Sequence, residues 1–224
     1  MPVIAIDGPS GSGKGTVSRR VAAALGFHLL DSGALYRLAG LAGSRAGLDV
    51  TDEAGHAAQA RAMAVRFESG PDGDERVLLE GEEVTEAIRT EAAGSLASRV
   101  ASFPLVRAAL SERQRGFARP PGLVADGRDM GTVVFPTAAL KIFLTASAGE
   151  RARRRHKQLK DKGLDVNLPG LSREIAERDA RDAGRKVAPL VAAADAIALD
   201  STGLTPDAVV ARVLELARQR LIVR

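Results

Sequence analysis

The sequence predicts an α/β fold, a parallel sheet flanked by helices, with a small antiparallel β insert and a helical lid. Short apolar runs at residues 3–6, 27–30, 123–125, 140–144 and 196–199 lack strict alternation, as strands buried on both faces do. Segments with helical apolar spacing lie between them, and that alternation builds parallel sheets with helices on both sides. One stretch, 65–85, reads instead as short strands joined by turns.

In chain order, the run at 3–6 enters a glycine-rich segment and a helix over 15–25 follows. The run at 27–30 leads to a helix over 32–46, where Asp31 and Ser32 have the character of a helix cap. Helical connections are expected over about 52–64 and 90–102, on either side of the meander. The meander comprises 65–69, a Gly70-Pro71-Asp72-Gly73-Asp74 turn, 76–80, a turn at Gly81 and 82–85. A helix over 105–118 precedes the strand at 123–125, and the strand at 140–144 feeds helices over 148–162 and 172–183. The last helix, 205–221, opens at Thr205-Pro206-Asp207 with proline at the first helical position. The whole is expected to be one domain, residues 1–224. Its core takes in about 1–31, 104–150 and 171–224, with an inserted region at about 32–103 and a lid at about 151–170.

The 224 residues are 45% hydrophobic and 27% charged, ordinary globular values that exclude global disorder and fibrous repeats. There is no cysteine, so disulfides, thiolate metal sites and cysteine nucleophiles are excluded, and three scattered histidines (His28, His56, His156) argue against zinc. The N-terminal apolar run is shorter than a signal-peptide core and no basic residue precedes it, so a cytoplasmic location is expected. No stretch approaches a membrane span. Residues 141–186 hold 13 Lys and Arg against 7 Asp and Glu, leaving 19 against 21 elsewhere. One local positive field suits a compact polyanion, whereas a duplex needs a broad basic face. Six Phe, one Tyr and no Trp also argue against base-stacking platforms, so no nucleic-acid partner is expected.

Gly8-Pro9-Ser10-Gly11-Ser12-Gly13-Lys14-Gly15-Thr16 follows the first strand and opens the first helix. Glycines let backbone N–H groups wrap a phosphate, the helix N-terminus adds donors and Lys14 reaches the outer phosphates. This is a nucleoside triphosphate cradle, a P-loop. Gly15, in place of Ser or Thr, follows the lysine, so Thr16 is the first hydroxyl and its direct ligation of Mg²⁺ is in doubt. Asp126 ends an apolar run where carboxylates hold Mg²⁺ or its waters, and Asp7, ending the first strand, competes for that role.

Leu30-Asp31-Ser32-Gly33-Ala34-Leu35-Tyr36-Arg37 follows the second strand, and Asp126-Gly127-Arg128-Asp129-Met130-Gly131-Thr132 follows the third. With the Gly-Lys-Gly-Thr loop ending, Glu177-Arg178-Asp179-Ala180-Arg181-Asp182 and Arg185, these segments resemble the bacterial cytidylate kinases, a family of P-loop nucleoside monophosphate kinases, from Val3 to Leu221. The resemblance implies transfer of the γ-phosphoryl group of ATP to CMP and dCMP with Mg²⁺, on a monomeric P-loop α/β fold whose insert enlarges the monophosphate-binding region.

The same resemblance assigns residues. Gly8 to Thr16 and Arg151, Arg154 and Arg155 would hold ATP; Lys14, Arg128, Arg154 and Arg185 would be catalytic. Ser32, Arg37, Ser98, Arg107, Gly127, Arg128, Asp129, Arg178, Asp182 and Arg185 would bind CMP, with Ser98, Arg107 and Asp129 reading the cytosine edge. Thr16 and Asp126 would meet the metal. Taken singly, each arginine reads as a surface ion-pair partner. Helical spacing puts Arg151, Arg154 and Arg155 on one face, able to point together at a triphosphate, and Arg153 and Lys157 elsewhere. Turn-formers in Lys162-Gly163-Leu164 and Asn167-Leu168-Pro169-Gly170 fit a lid that excludes water. Two alternatives stand at this point: a kinase of the same fold acting on UMP or AMP, and a P-loop regulatory or nucleic-acid-binding ATPase.

Overall fold

The computed structural model describes residues 1–69, 75–161, 163 and 165–221. Two compact units emerge, one formed by Met1–Asp31 with Gln114–Arg224 and the other by Ser32–Arg113.

The first unit is built on a five-stranded, all-parallel sheet of β1 (Val3–Asp7), β2 (His28–Asp31), β6 (Leu123–Gly127), β7 (Leu140–Thr145) and β8 (Ile197–Asp200). Their order across the sheet is β2-β6-β1-β7-β8, so the first strand lies at its centre. All five residues of β1 and of β6 are buried, which is why their sequences do not alternate. In register, Ile6 faces Asp126 and Asp7 faces Gly127, which sets two carboxylates at the carboxyl ends of neighbouring strands. Open α/β sheets bind ligands at that edge.

Helix α1 (Lys14–Leu25) and helix α8 (Pro206–Leu221) pack with one face of the sheet. Val17, Val21, Val209, Val213 and Ala217 meet Ile4, Ile6, Val124, Leu140, Ile142 and Leu144 there in a dry core. Each valine, leucine and isoleucine among them contributes about 1.5–3 kcal/mol by leaving water. Helix α6 (Ala148–Asp161) packs on α7 (Leu168–Ala183). The helix expected from 172 thus begins four residues earlier: the Asn167 side chain accepts from Gly170 N at 2.7 Å, and Pro169 sits where a helix needs no donor. Asn167-Leu168-Pro169-Gly170 starts a helix where a turn was expected. Lys162 and Leu164 of the expected lid lie outside the described residues. A second departure is a single π-helical turn, Met130–Val134, directly after the loop that follows β6.

The second unit holds α2 (Ser32–Arg45), packed on α3 (Glu53–Ala62) and α4 (Glu91–Val100), with much of α5 (Pro104–Arg115). Its three-stranded antiparallel sheet is β3 (Val65–Ser69), β4 (Glu75–Leu79) and the short β5 (Glu82–Glu83), in the expected meander order. Glu80 (φ 53°) and Gly81 (φ 84°) make the β4–β5 turn. The turn expected at 70–74 lies outside the described residues.

Candidate active site

The loop after β1 is forced into glycine by its neighbours. A Cβ on Gly8, at φ 149°, would stand 2.0 Å from the Leu144 carbonyl oxygen of β7, so no side chain fits. Gly13 (φ 92°) precedes α1 without a side-chain cap, which leaves the first N–H groups of the helix facing the loop. Donors so placed, at the positive end of a helix, bind phosphate.

Lys14 is buried and its Nζ donates to Pro9 O at 2.9 Å. Burial, and then the charges of Arg128 and Arg178, push its pKa down to about 7, while Asp126 and Asp7 pull the other way. Asp126 is buried as well. Burial lifts its pKa to about 7 against the pull of Lys14 and Arg128, with Asp31 and Asp7 adding to the rise. Its Oδ2 would stand 3.5 Å from a Cβ on Gly15, so it faces the phosphate loop. Asp7 is differently engaged: its carboxylate accepts from Met130 N at 2.8 Å and Gly131 N at 2.7 Å.

Arg128 Nε donates to Asp182 at 3.0 Å and its Nη1 to Gly127 O at 3.2 Å, and Arg185 donates to the other oxygen of Asp182. Burial raises the Asp182 carboxyl, but Arg128, Arg185 and Arg178 outweigh it and hold the group below its usual range. Arg178 and Asp182 lie one turn apart on α7 and so share a face.

The arginines of α6 divide. Arg151 donates to Ser10 O at 3.1 Å, to Ala146 O at 3.1 Å and to Asp179 at 2.6 Å. Arg154 donates to Ser12 O at 3.3 Å, to Ser201 O at 2.6 Å and to the Ser201 hydroxyl at 3.0 Å. Both are thus fixed on carbonyls of the phosphate loop. Arg155 donates to Gln158 of its own helix at 2.7 Å and Arg153 to Glu150 at 2.8 Å. Ser201, almost fully buried, also donates to Ser12 O or Thr145 O, at 3.1 and 2.9 Å. Sequence reasoning missed it. The signal available was a polar turn just beyond the last strand, at the sheet edge where ligands bind.

In the second unit, Arg37 donates to Ile88 O at 2.7 Å. Arg107 is only 7% exposed, donates to Ala101 O at 3.3 Å and lies 5.7 Å above the Tyr36 ring. Ser32 and Ser98 are buried too. A buried arginine and a buried helix serine mark an interior prepared for polar work.

For a divalent cation, the described residues offer no cluster of three His, Asp or Glu side chains. One buried carboxylate facing a phosphate loop, Asp126, suits magnesium, which dehydrates reluctantly and is held mostly by substrate phosphates and water. Among the described residues no helix is long and apolar enough to cross a membrane.

A parallel sheet whose central strand feeds a glycine loop and a buried lysine, with arginines converging beside it, is how enzymes of the P-loop class hold a nucleotide for phosphoryl transfer. This chain is a phosphotransferase of that class. It belongs to the cytidylate kinase family, whose model matches residues 4–219, and with it to the nucleoside monophosphate kinases. A cytidylate kinase of Colwellia psychrerythraea is 56% identical over 220 residues, covering 98% of this chain and 97% of its own. One of Stutzerimonas stutzeri is 58% identical over 221 residues, covering 98% and 96%. A solved structure of an uncharacterized protein from Eubacterium ventriosum, 11% identical with a TM-score of 0.50, covers 98% of this chain and 100% of its own and shares the fold alone.

Proposed function

We propose that the chain moves the γ-phosphoryl group of ATP to CMP, and to dCMP, giving ADP and CDP or dCDP. The observation that carries this reading is electrostatic. Buried Lys14 stands at the glycine loop while Arg128 and Arg185 converge on one buried carboxylate, and besides burial the charges of Arg128 and Arg178 depress the Lys14 pKa, an arrangement that an incoming polyanion relieves. A phosphate acceptor also needs no general base, because its second pKa is about 6 and it is mostly dianionic at neutral pH.

In this reading the loop of Gly8, Pro9, Ser10, Gly11, Ser12, Gly13, Gly15 and Thr16 wraps the ATP phosphates, its N–H groups donating except at Pro9, which has none, and the Lys14 ammonium reaches them. Arg151 and Arg154 brace that loop, with Arg154 free to trade a carbonyl for a phosphate oxygen, and Arg155 approaches when the lid closes. Ser32, Arg37, Ser98, Arg107, Gly127, Arg128, Asp129, Arg178, Asp182 and Arg185 bind CMP, Asp129 accepting from the cytosine amine. An oxygen of the CMP phosphate attacks the γ-phosphorus in line, and the bond to the β–γ bridging oxygen breaks. Lys14, Arg128, Arg154 and Arg185 stabilise the charge on the transferred group. Asp126 and Thr16 would hold Mg²⁺, directly or through water, where it would neutralise phosphate charge. The enzyme acts as a cytoplasmic monomer without nucleic acid.

The test is initial-rate ADP formation from Mg·ATP with CMP, dCMP, UMP, AMP, GMP or no acceptor. Rapid turnover with CMP and little without acceptor is expected. If UMP or AMP wins, the roles given to Ser98, Arg107 and Asp129 fall; acceptor-free hydrolysis alone means a regulatory ATPase. Lys14→Ala and Arg128→Ala should each lower kcat by about 10²-fold or more, and normal turnover in either would sink the assignment.

A further inference from the structure

We infer that Asp7 is a positioning residue that aims Arg128 and Asp129, and that it does so by capping the π-helical turn after β6. The inference rests on the acceptor reading above. Asp7 is the last residue of β1 and is 5% exposed. Its two oxygens accept from the first two N–H groups of the turn, Met130 at 2.8 Å and Gly131 at 2.7 Å. A helical turn leaves its first donors without internal partners, and the residue before this one, Asp129, supplies no side-chain cap. A carboxylate from a different strand supplies it instead, with two charge-assisted bonds.

The surroundings hold that contact in place. A Cβ on Gly131 would stand 3.1 Å from Lys141 Cδ, so glycine lets the turn lie tightly on the Lys141 stem of β7, with Asp7 Oδ2 at 3.4 Å in ordinary contact. Lys141 is itself anchored, donating to Pro136 O at 2.6 Å and Asp195 at 2.8 Å. On the near side, β6 is fixed as far as Gly127, which faces Asp7 in register. Arg128 and Asp129 are therefore the two residues spanning a fixed strand end and a pinned turn. The span is irregular, with Asp129 at φ −145°, ψ 24° and its carbonyl accepting from Val133 N at 2.9 Å and Val134 N at 3.2 Å. Release of Met130 and Gly131 frees that span, and Asp129, adjoining the turn, loses its aim before Arg128, which Asp182 and Gly127 O also hold. Each Asp7 oxygen already accepts a backbone donor, so in the reading above Asp126, whose oxygen faces the phosphate loop, is the carboxylate better placed for the metal.

The test compares Asp7→Asn with Asp126→Asn in the full chain. An asparagine keeps the shape but turns an NH2 group onto one of the two N–H donors. Asp7→Asn is expected to raise the KM for CMP about tenfold or more and, because Arg128 also faces the transferred group, to lower kcat with it, while the KM for ATP and the Mg²⁺ dependence stay within about twofold. The Met130 and Gly131 amide resonances should move upfield as the ionic acceptor is lost. Asp126→Asn should shift the Mg²⁺ dependence. A changed Mg²⁺ requirement in Asp7→Asn with unchanged KM for CMP overturns the inference, as does a loss of kcat alone. If Asp7→Asn does not fold, Gly131→Ala, whose methyl presses on the Lys141 stem and so pushes the turn off the same carboxylate, must show the acceptor-specific rise in KM or the inference is wrong. A wild-type protein inactive on CMP would defeat the proposed function, and the amide resonances of Asp7→Asn would then decide the positioning claim alone.

Discussion

Asp182 is 1% exposed and accepts from two guanidiniums, those of Arg128 and Arg185. Removing the carboxylate takes the counter-charge from both, and breaking a buried pair in this way costs about 3–5 kcal/mol. Because its folded pKa is held below the usual 3.8, the pair contributes fully above that value and is lost as pH falls through the folded pKa. The urea midpoint of Asp182→Asn should lie well below wild type near neutral pH, and the gap should shrink as the pH is lowered below about 3.8. Asp182 and Arg185 stand three residues apart in the sequence, but the expectation joined them only through the family likeness and not as a contact. Arg128, 54 positions earlier, was tied to them by family likeness alone, since no local pattern encodes a contact so distant in the chain. Ser201 is the extreme case: its partner Ser12 is 189 positions away, and a serine in a turn looks like any other.

Secondary structure was legible wherever burial wrote a pattern. β1 and β6, buried throughout, gave unbroken apolar runs, and the amphipathic helices announced themselves by spacing. Two elements were hidden for different reasons. The start of α7 was masked by Pro169 and Gly170, residues that usually mark turns but that the first turn of a helix tolerates. Asn167→Ala should therefore lower stability by about 1 kcal/mol, read as a fall in urea midpoint with unchanged slope. The π-helical turn was masked because its stability comes from a carboxylate 123 residues away and not from its own side chains. In the second unit, Gly43 of α2 shows the same long reach: a Cβ there would stand 2.2 Å from the His56 ring of α3.

Fold class, too, could be read from alternation of strand and helix, but sheet order could not, because apolar runs carry no label for their neighbours. The concentration of charge in 141–186 was legible, and it bears on the whole molecule as an anion-binding field. ADP at about 100 times its Kd should stabilise the protein by about 2.7 kcal/mol. That gain, followed as a rise in Tm, should fall with added salt and largely vanish in Lys14→Ala. The observed order, β2-β6-β1-β7-β8, separates the two strands made first. β6 stands between β1 and β2, and β7 flanks β1 on the other side, so every strand pairing of β1 and β2 in this sheet is made with a segment synthesised after residue 122. On the ribosome, the N-terminal strand and its glycine loop wait through the whole of the second unit before a neighbour exists. The nucleotide cradle, although it precedes the second unit along the chain, thus gains its strand neighbours only after that unit has been made.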